Sequence, residues 1–175
     1  MERDKLYLLG DLYHDLLKEL YGAEVALIEI LPRMAAKAND RDLKDNLNMH
    51  LQETQRQKQR LEKILGENIT AEKPETIKGL EADFQKLATK EVERDVMNAA
   101  VILAAQRVEH YEIASYGTVC YYAKVLGLDD DLKLLKETMA EEVAADEKLN
   151  KLAKSKIDEK AAKVDQPSNF YGRHV

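Results

Sequence analysis

The chain has 175 residues, 45% hydrophobic and 34% charged, with 7 glycines and 3 prolines. That is enough apolar material for one domain with a core, and too few turn residues for an all-β fold. A formal net charge of −6 with no basic stripe argues against nucleic acid as a partner.

The opening stretch MERDKLYLLGDLYHDL is charged and interrupts its first apolar run, so it does not read as a signal peptide. No run of about 18 apolar residues predicts a membrane span. Cys120 is the single cysteine, so no internal disulfide forms. This fits a reducing cytosol, and a cytoplasmic location is expected.

In chain order, Leu9, Leu16, Leu17, Leu20, Leu27, Ile28 and Leu31 recur at helical spacing and predict a first helix over 4–38. Pro32 is expected to bend it or mark a local break. Asn39 and Asp40 are cap candidates for a second helix over 41–65, ending at Gly66. Residues 67–91 carry Pro74 and Gly79 and read as a connection holding one short helix, 75–88. A third long helix is expected over 91–125, ending at Gly127, and a fourth over 130–156, capped by Asp129 or Asp130. Residues 157–175 have no period and are expected to form a mobile tail.

Short loops make each helix pair antiparallel, and the long join can run the length of a bundle, leaving the second and third long helices parallel. The expected fold is therefore all-α, a ferritin-like four-helix bundle over 1–156 with one long crossover containing a short extra helix.

Polar residues interrupt the apolar stripes of all four long helices. Glu24 follows Leu20 by four and precedes Leu27 by three. His50, Glu53 and Gln57 form one column on the second helix. Glu109 and Glu112 lie between Val108 and Tyr116 on a third helix of mostly small, apolar residues. Glu142 and Asp146 lie between Met139 and Leu149 on the fourth, with phase favouring Glu142 over its neighbour Glu141. Burying six carboxylates together demands raised pKa values or cations. Two divalent ions leave a formal −2 and two trivalent ions leave zero, which favours a dinuclear site. Oxygen-rich ligation suits iron or manganese better than a structural zinc.

At HLQETQRQ (50–57), VEHYEIASYGT (108–118) and LLKETMAEEVAAD (134–146), the sequence resembles the YciE/YciF-type ferritin-like family, also called the domain-of-unknown-function 892 family. The resemblance covers about 5–155. It implies a ferritin-like bundle, a homodimer, a bacterial cytoplasmic setting, a link to general stress responses and a di-iron centre. The chain departs from the usual di-iron pattern, because no Glu-x-x-His occurs in it. His50-x-x-Glu53 reverses that order and Glu109-x-x-Glu112 replaces the histidine.

Each polar residue also has a structural reading. Glu24 could meet a lysine at a helix edge, the His50 column could be a polar core layer or a dimer contact, and Glu109 and Glu112 could face solvent. His110 points to another face, Tyr116 is placed to hydrogen-bond a ligand, and Cys120 reads as a small core residue. The first expectation is a metal protein holding two iron ions per chain, or manganese or another divalent metal. Its ligands would be Glu24, Glu53, Glu109, Glu112, Glu142, Asp146 and His50, and it would react with oxygen or peroxide. The alternatives are a non-enzymatic helical dimer that binds or scaffolds partners around a degenerate or empty site, and a non-redox metal hydrolase.

Overall fold

The computed structural model describes residues 6–66 and 69–163. They form α1 (Leu9–Lys37), α2 (Arg41–Leu65), α3 (Glu75–Ala88), α4 (Arg94–Leu126), α5 (Asp129–Leu152), a π-helical turn (Ala153–Ile157) and α6 (Asp158–Ala162), with no strand among the described residues. No helix is long and apolar enough to cross a membrane among those residues.

The four long helices form a square bundle in which α1 packs on α2 and α4, and α5 packs on α4 and α2. Polar contacts at the ends fix its directions. The backbone N–H groups of Asn39 and Asp40 donate to the Asn98 side chain at 2.7 and 3.1 Å, which sets the α1–α2 loop at the start of α4. At the other end the Tyr13 hydroxyl donates to Asp131 at 3.0 Å, which sets the first turns of α1 and α5 side by side. Hence α2 and α4 run parallel, and the chain between them travels back along the bundle with α3 packed on α4 and α1. This is the ferritin-like topology.

Local chemistry sets the ends. The Asp40 carboxylate accepts from the N–H groups of Asp42 and Leu43 at 3.0 and 3.3 Å, as an N-cap should. Gly66 and Gly127 close α2 and α4 with φ of 89° and 73°. The first helix starts at Leu9, later than expected, with the Asp11 side chain accepting from the N–H of Tyr7 and Leu8. Pro32 does not break it. α1 continues to Lys37 with Pro32 on its exposed side, where the missing N–H leaves only the Ile28 carbonyl without its helical donor. The third long helix begins at Arg94 rather than 91, because Glu93 caps it by accepting from Asp95 N–H at 2.7 Å. Neither Asp129 nor Asp130 caps α5. Leu128 holds that position, and Asp129, Asp130 and Asp131 fill the first turn, where the helix dipole favours negative charge.

The helical part also runs past the expected end at 156. Leu149, Ala153 and Ile157 continue one stripe at i,i+4 spacing, Ile157 is fully buried, and α6 follows against α4. The rest of the expected tail, 164–175, lies outside the described residues.

The crossover is seated through Gly22 of α1. A Cβ there would lie 1.9 Å from the Glu72 carbonyl oxygen, backbone against backbone. Gly22→Ala must therefore push the crossover off the helix and is expected to lower the unfolding free energy by about 1–3 kcal/mol. Gly79 lies inside α3 with no heavy atom within 4 Å of its would-be Cβ. Gly79→Ala is expected to raise the unfolding free energy by about 0.5–1 kcal/mol. Urea denaturation of both variants checks the pair, and equal effects would contradict the close approach.

The core has two apolar parts. One gathers Leu27, Leu31, Leu43, Leu47, Val101 and Leu149 towards the α1–α2 loop. The other gathers Leu17, Leu20, Leu61, Tyr116, Val119 and Leu135 towards the opposite end. Each fully buried leucine contributes roughly 1.5–3 kcal/mol. Between the two parts every long helix delivers polar side chains to the interior.

Candidate metal centre

Glu24 lies between Leu20 and Leu27 on α1, so turning the apolar stripe of α1 inward takes the carboxylate with it. The same logic buries His50 and Gln57 between Leu47 and Leu61 on α2, Glu109 and Glu112 between Val108 and Tyr116 on α4, and Glu142 between Leu135 and Leu149 on α5. Glu24, Glu109, Glu112 and Glu142 are each at most 1% exposed. Four carboxylates thus share one dry layer.

One ligand-type atom from each of His50, Glu109, Glu112 and Glu142 falls within 4.8 Å of the others. His50 Nε2 lies 3.2 Å from Glu109 Oε1 and 3.8 Å from Glu142 Oε2. Its Nδ1 lies 3.4 Å from Glu53 Oε2. Glu24 belongs to the same layer through Tyr116, whose hydroxyl donates to Glu24 Oε1 at 2.5 Å.

Seven buried side-chain atoms here have no hydrogen-bond partner: Glu24 Oε2, His50 Nε2, Gln57 Oε1, Glu109 Oε2, both oxygens of Glu112, and Glu142 Oε2. His50 Nε2 is close to Glu109 but not aligned for a bond with it. Leaving one such atom unsatisfied costs about 1–3 kcal/mol. A fold that carries seven at one level has a strong demand for something positive there.

The electrostatics agree. Burial holds the Glu24 carboxyl well above the usual carboxylate range, the Glu142 charge adds to this, and the Tyr116 hydrogen bond opposes it. Glu109 and Glu112 are raised by the same burial and then by Glu142. The Tyr116 phenol is raised by burial and by Glu24 and Glu112. At the rim the sign reverses. Glu53 is held below the usual range, first by its bond with His50 and also by Lys148, whose Nζ lies 3.8 Å away.

The structure therefore divides the candidate residues. His50, Glu109, Glu112 and Glu142 converge, and Glu24 lies beside them. Glu53 is at the edge, against the outer nitrogen of His50. Asp146 is also at the edge, accepting from Asn150 Nδ2 at 2.9 Å and Gln106 Nε2 at 3.4 Å, with exposed His110 at 3.3 Å. Of the Glu141–Glu142 doublet, Glu142 faces the layer and Glu141 faces Arg60. Sequence reasoning missed Arg60, which is 7% exposed and donates to Glu141, Glu137 and Thr138. The available signal was its position three residues after Gln57 in the same column.

The donor set fits a hard or borderline divalent cation. It is rich in carboxylate oxygen, has one imidazole nitrogen and holds no thiolate, as iron(II) or manganese(II) requires. Two such ions would balance the four fully buried carboxylates.

The sequence model of the family described as "Domain of unknown function (DUF892)" matches residues 8–162. The chain is 37% identical over 157 residues to Protein YciF of Escherichia coli strain K12, covering 87% of this chain and 95% of that one. The crystal structure of the E. coli stress protein YciF superposes with a TM-score of 0.80 at 34% identity, covering 87% of this chain and 99% of the other. The YcfI structure from Rhodopseudomonas palustris gives 0.81 at 38% identity, covering 86% and 97%. Model, relative and structures span the whole bundle with its buried polar layer, and the chain belongs to the DUF892 family.

Proposed function

We propose that this chain is a stress protein that binds two iron ions in the buried layer and reacts there with oxygen or peroxide. The observation that carries the reading is the set of seven partnerless buried polar atoms on four helices. The stress role rests on the likeness to the E. coli stress protein YciF. Manganese or another divalent metal satisfies the same donors.

When bound, iron would supply one-electron redox chemistry. The chain's own residues do the rest. Glu24, Glu109, Glu112 and Glu142 present anionic oxygens. His50 turns Nδ1 to Glu53 and so keeps Nε2 aimed inward, the arrangement in which a carboxylate orients a ligand histidine. Tyr116 holds Glu24 in place. The leucines on both sides keep bulk water out. In the metal-free chain burial raises the carboxyl pKa of Glu24, Glu109 and Glu112, so metal binding competes with protons there. A cytoplasmic homodimer is part of the proposal, supported by the free Cys120 and by Val96, Leu103, Tyr121 and Val125 exposed on α4.

Metal analysis of untagged protein after anaerobic Fe(II) loading tests the reading. About two irons per chain, lost in Glu112→Ala, is the expected result. No uptake, with a Glu112→Gln variant more stable than the parent, would instead make the layer a structural one and the protein a binding or scaffold module.

A further inference from the structure

Arg60, Glu141 and Gln57 form a chain of contacts that ends on Glu142. The Arg60 guanidinium donates to both oxygens of Glu141, at 2.7 and 2.9 Å, and to Glu137 at 2.6 Å. Glu141 Oε2 also accepts from Gln57 Nε2 at 3.1 Å. The same Gln57 nitrogen donates to Glu142 Oε1. A primary amide has two N–H donors on one nitrogen, so Gln57 grips two consecutive carboxylates of α5 at once. Gln57 and Glu142 are fully buried, and Arg60 nearly so.

We propose that Gln57 and Arg60 are positioning residues that hold Glu141 out of the layer and fix the orientation of the Glu142 side chain toward the metal layer. This rests on the metal-binding reading above. Glu141 and Glu142 are chemically identical neighbours; the phase of α5 turns Glu142 inward, and the bidentate guanidinium holds Glu141 away from it. A planar fork matches one carboxylate and holds it in one geometry. With Glu141 held by Arg60, Gln57 is left with one N–H for Glu142, and Glu142 Oε2 remains free to face His50 at 3.8 Å. A glutamate at 57 would repel both partners, and an apolar residue would release them. The amide is the side chain of that length that donates twice and adds no charge to a layer already holding four carboxylates.

Outer contacts of this kind change metal affinity by about 10–100-fold when removed. The test uses Co(II) under anaerobic conditions, read by its visible absorption bands and by titration. Gln57→Met, Arg60→Met and Glu141→Gln are compared with the parent, together with the Gln57→Met/Arg60→Met double variant. Glu137 and Glu141 are partly exposed, so Arg60→Met leaves no fully buried charge stranded, Gln57→Met takes the donor from buried Glu142 Oε1, and Glu141→Gln changes shape least. The expected result is about tenfold or greater loss of affinity in each single variant and a shifted Co(II) spectrum. The double variant should lose no more than the worse single variant, because the contacts act in series. Parent-like affinity and spectrum in all three single variants would overturn the positioning role while leaving the metal site standing. Independent losses that add in the double variant would also overturn it. A parent protein that binds no Co(II), Fe(II) or Mn(II) would instead overturn the metal reading, and this inference with it.

Discussion

Saturating Fe(II), added without oxygen, is expected to raise the melting temperature by about 8–16 °C for each site filled, and a chelator to reverse it. A ligand that binds only the folded state, at a thousand times its dissociation constant, stabilises by about 4 kcal/mol per site. For a domain of this length each kcal/mol moves the midpoint by roughly 2–4 °C. The folded state alone brings carboxylates from four helices to one level, so the condition of binding only that state is met. Glu112→Gln separates metal binding from simple packing, because its two effects have opposite sign. Both Glu112 oxygens are partnerless in a dry layer. At neutral pH the acid must stay charged there or hold a proton against the solvent, and the amide does neither. The metal-free variant is expected to be more stable than the parent by about 1–3 kcal/mol, and its Fe(II)-induced shift to fall to half or less. Calorimetry with and without Fe(II) checks both. A parent that melts at one temperature in both conditions would sink the metal reading.

The bundle was legible because its signal is redundant. α1 and α2 repeat leucine stripes, α4 is small and apolar over most of its length, and a short loop admits one way for its neighbours to pack. Glu24, Glu109, Glu112 and Glu142 were legible for the same reason, since a carboxylate inside a strong stripe has nowhere else to go. The column on α2 was harder to read. His50 and Glu53 are three residues apart, and a small rotation of the helix decides which one enters. The structure turns His50 inward and leaves Glu53 at the rim with Lys148. The structure places Asp146 at the edge in the same way on α5, where Glu142 takes the central line and Asp146 meets Asn150 and His110.

Other features depend on contacts that no periodicity announces. Arg60 reads as a solvated end of a polar column, and its burial depends on Glu137, Thr138 and Glu141 from a helix nearly 80 residues away in sequence. The seat of the crossover on Gly22 is a meeting of two backbones. Pro32 shows the converse. A local rule expects a break, but packing on both sides of one missing hydrogen bond carries α1 through it.

The metal-free protein is expected to lose stability as pH rises above about 5, and the metal-loaded protein to gain it. Glu24, Glu109 and Glu112 have folded pKa values above those of the unfolded chain, chiefly through burial. Below the unfolded value, about 4.3, both states are protonated and the stabilisation is complete. Above it the native state keeps protons that the unfolded chain gives up, and stability falls with rising pH until pH passes the folded values. Carboxylates paired at the rim of the layer and on α3 act in the other direction. Glu53, held down first by His50, and Glu81, held down first by Lys73, stabilise above the unfolded value and lose that contribution as pH falls through their lower folded values. The buried groups therefore give the metal-free protein a fall in stability with rising pH, opposite in sign to the contribution of the ion pairs. Metal reverses the slope, because the carboxylates must give up their protons to bind it, and affinity rises with pH. Urea denaturation at pH 5, 6 and 7.5, with chelator and with Mn(II), measures both slopes. A metal-free profile that is flat or rises over this range would mean that the buried carboxylates already have partners, and the demand for cations in the layer would disappear with that result.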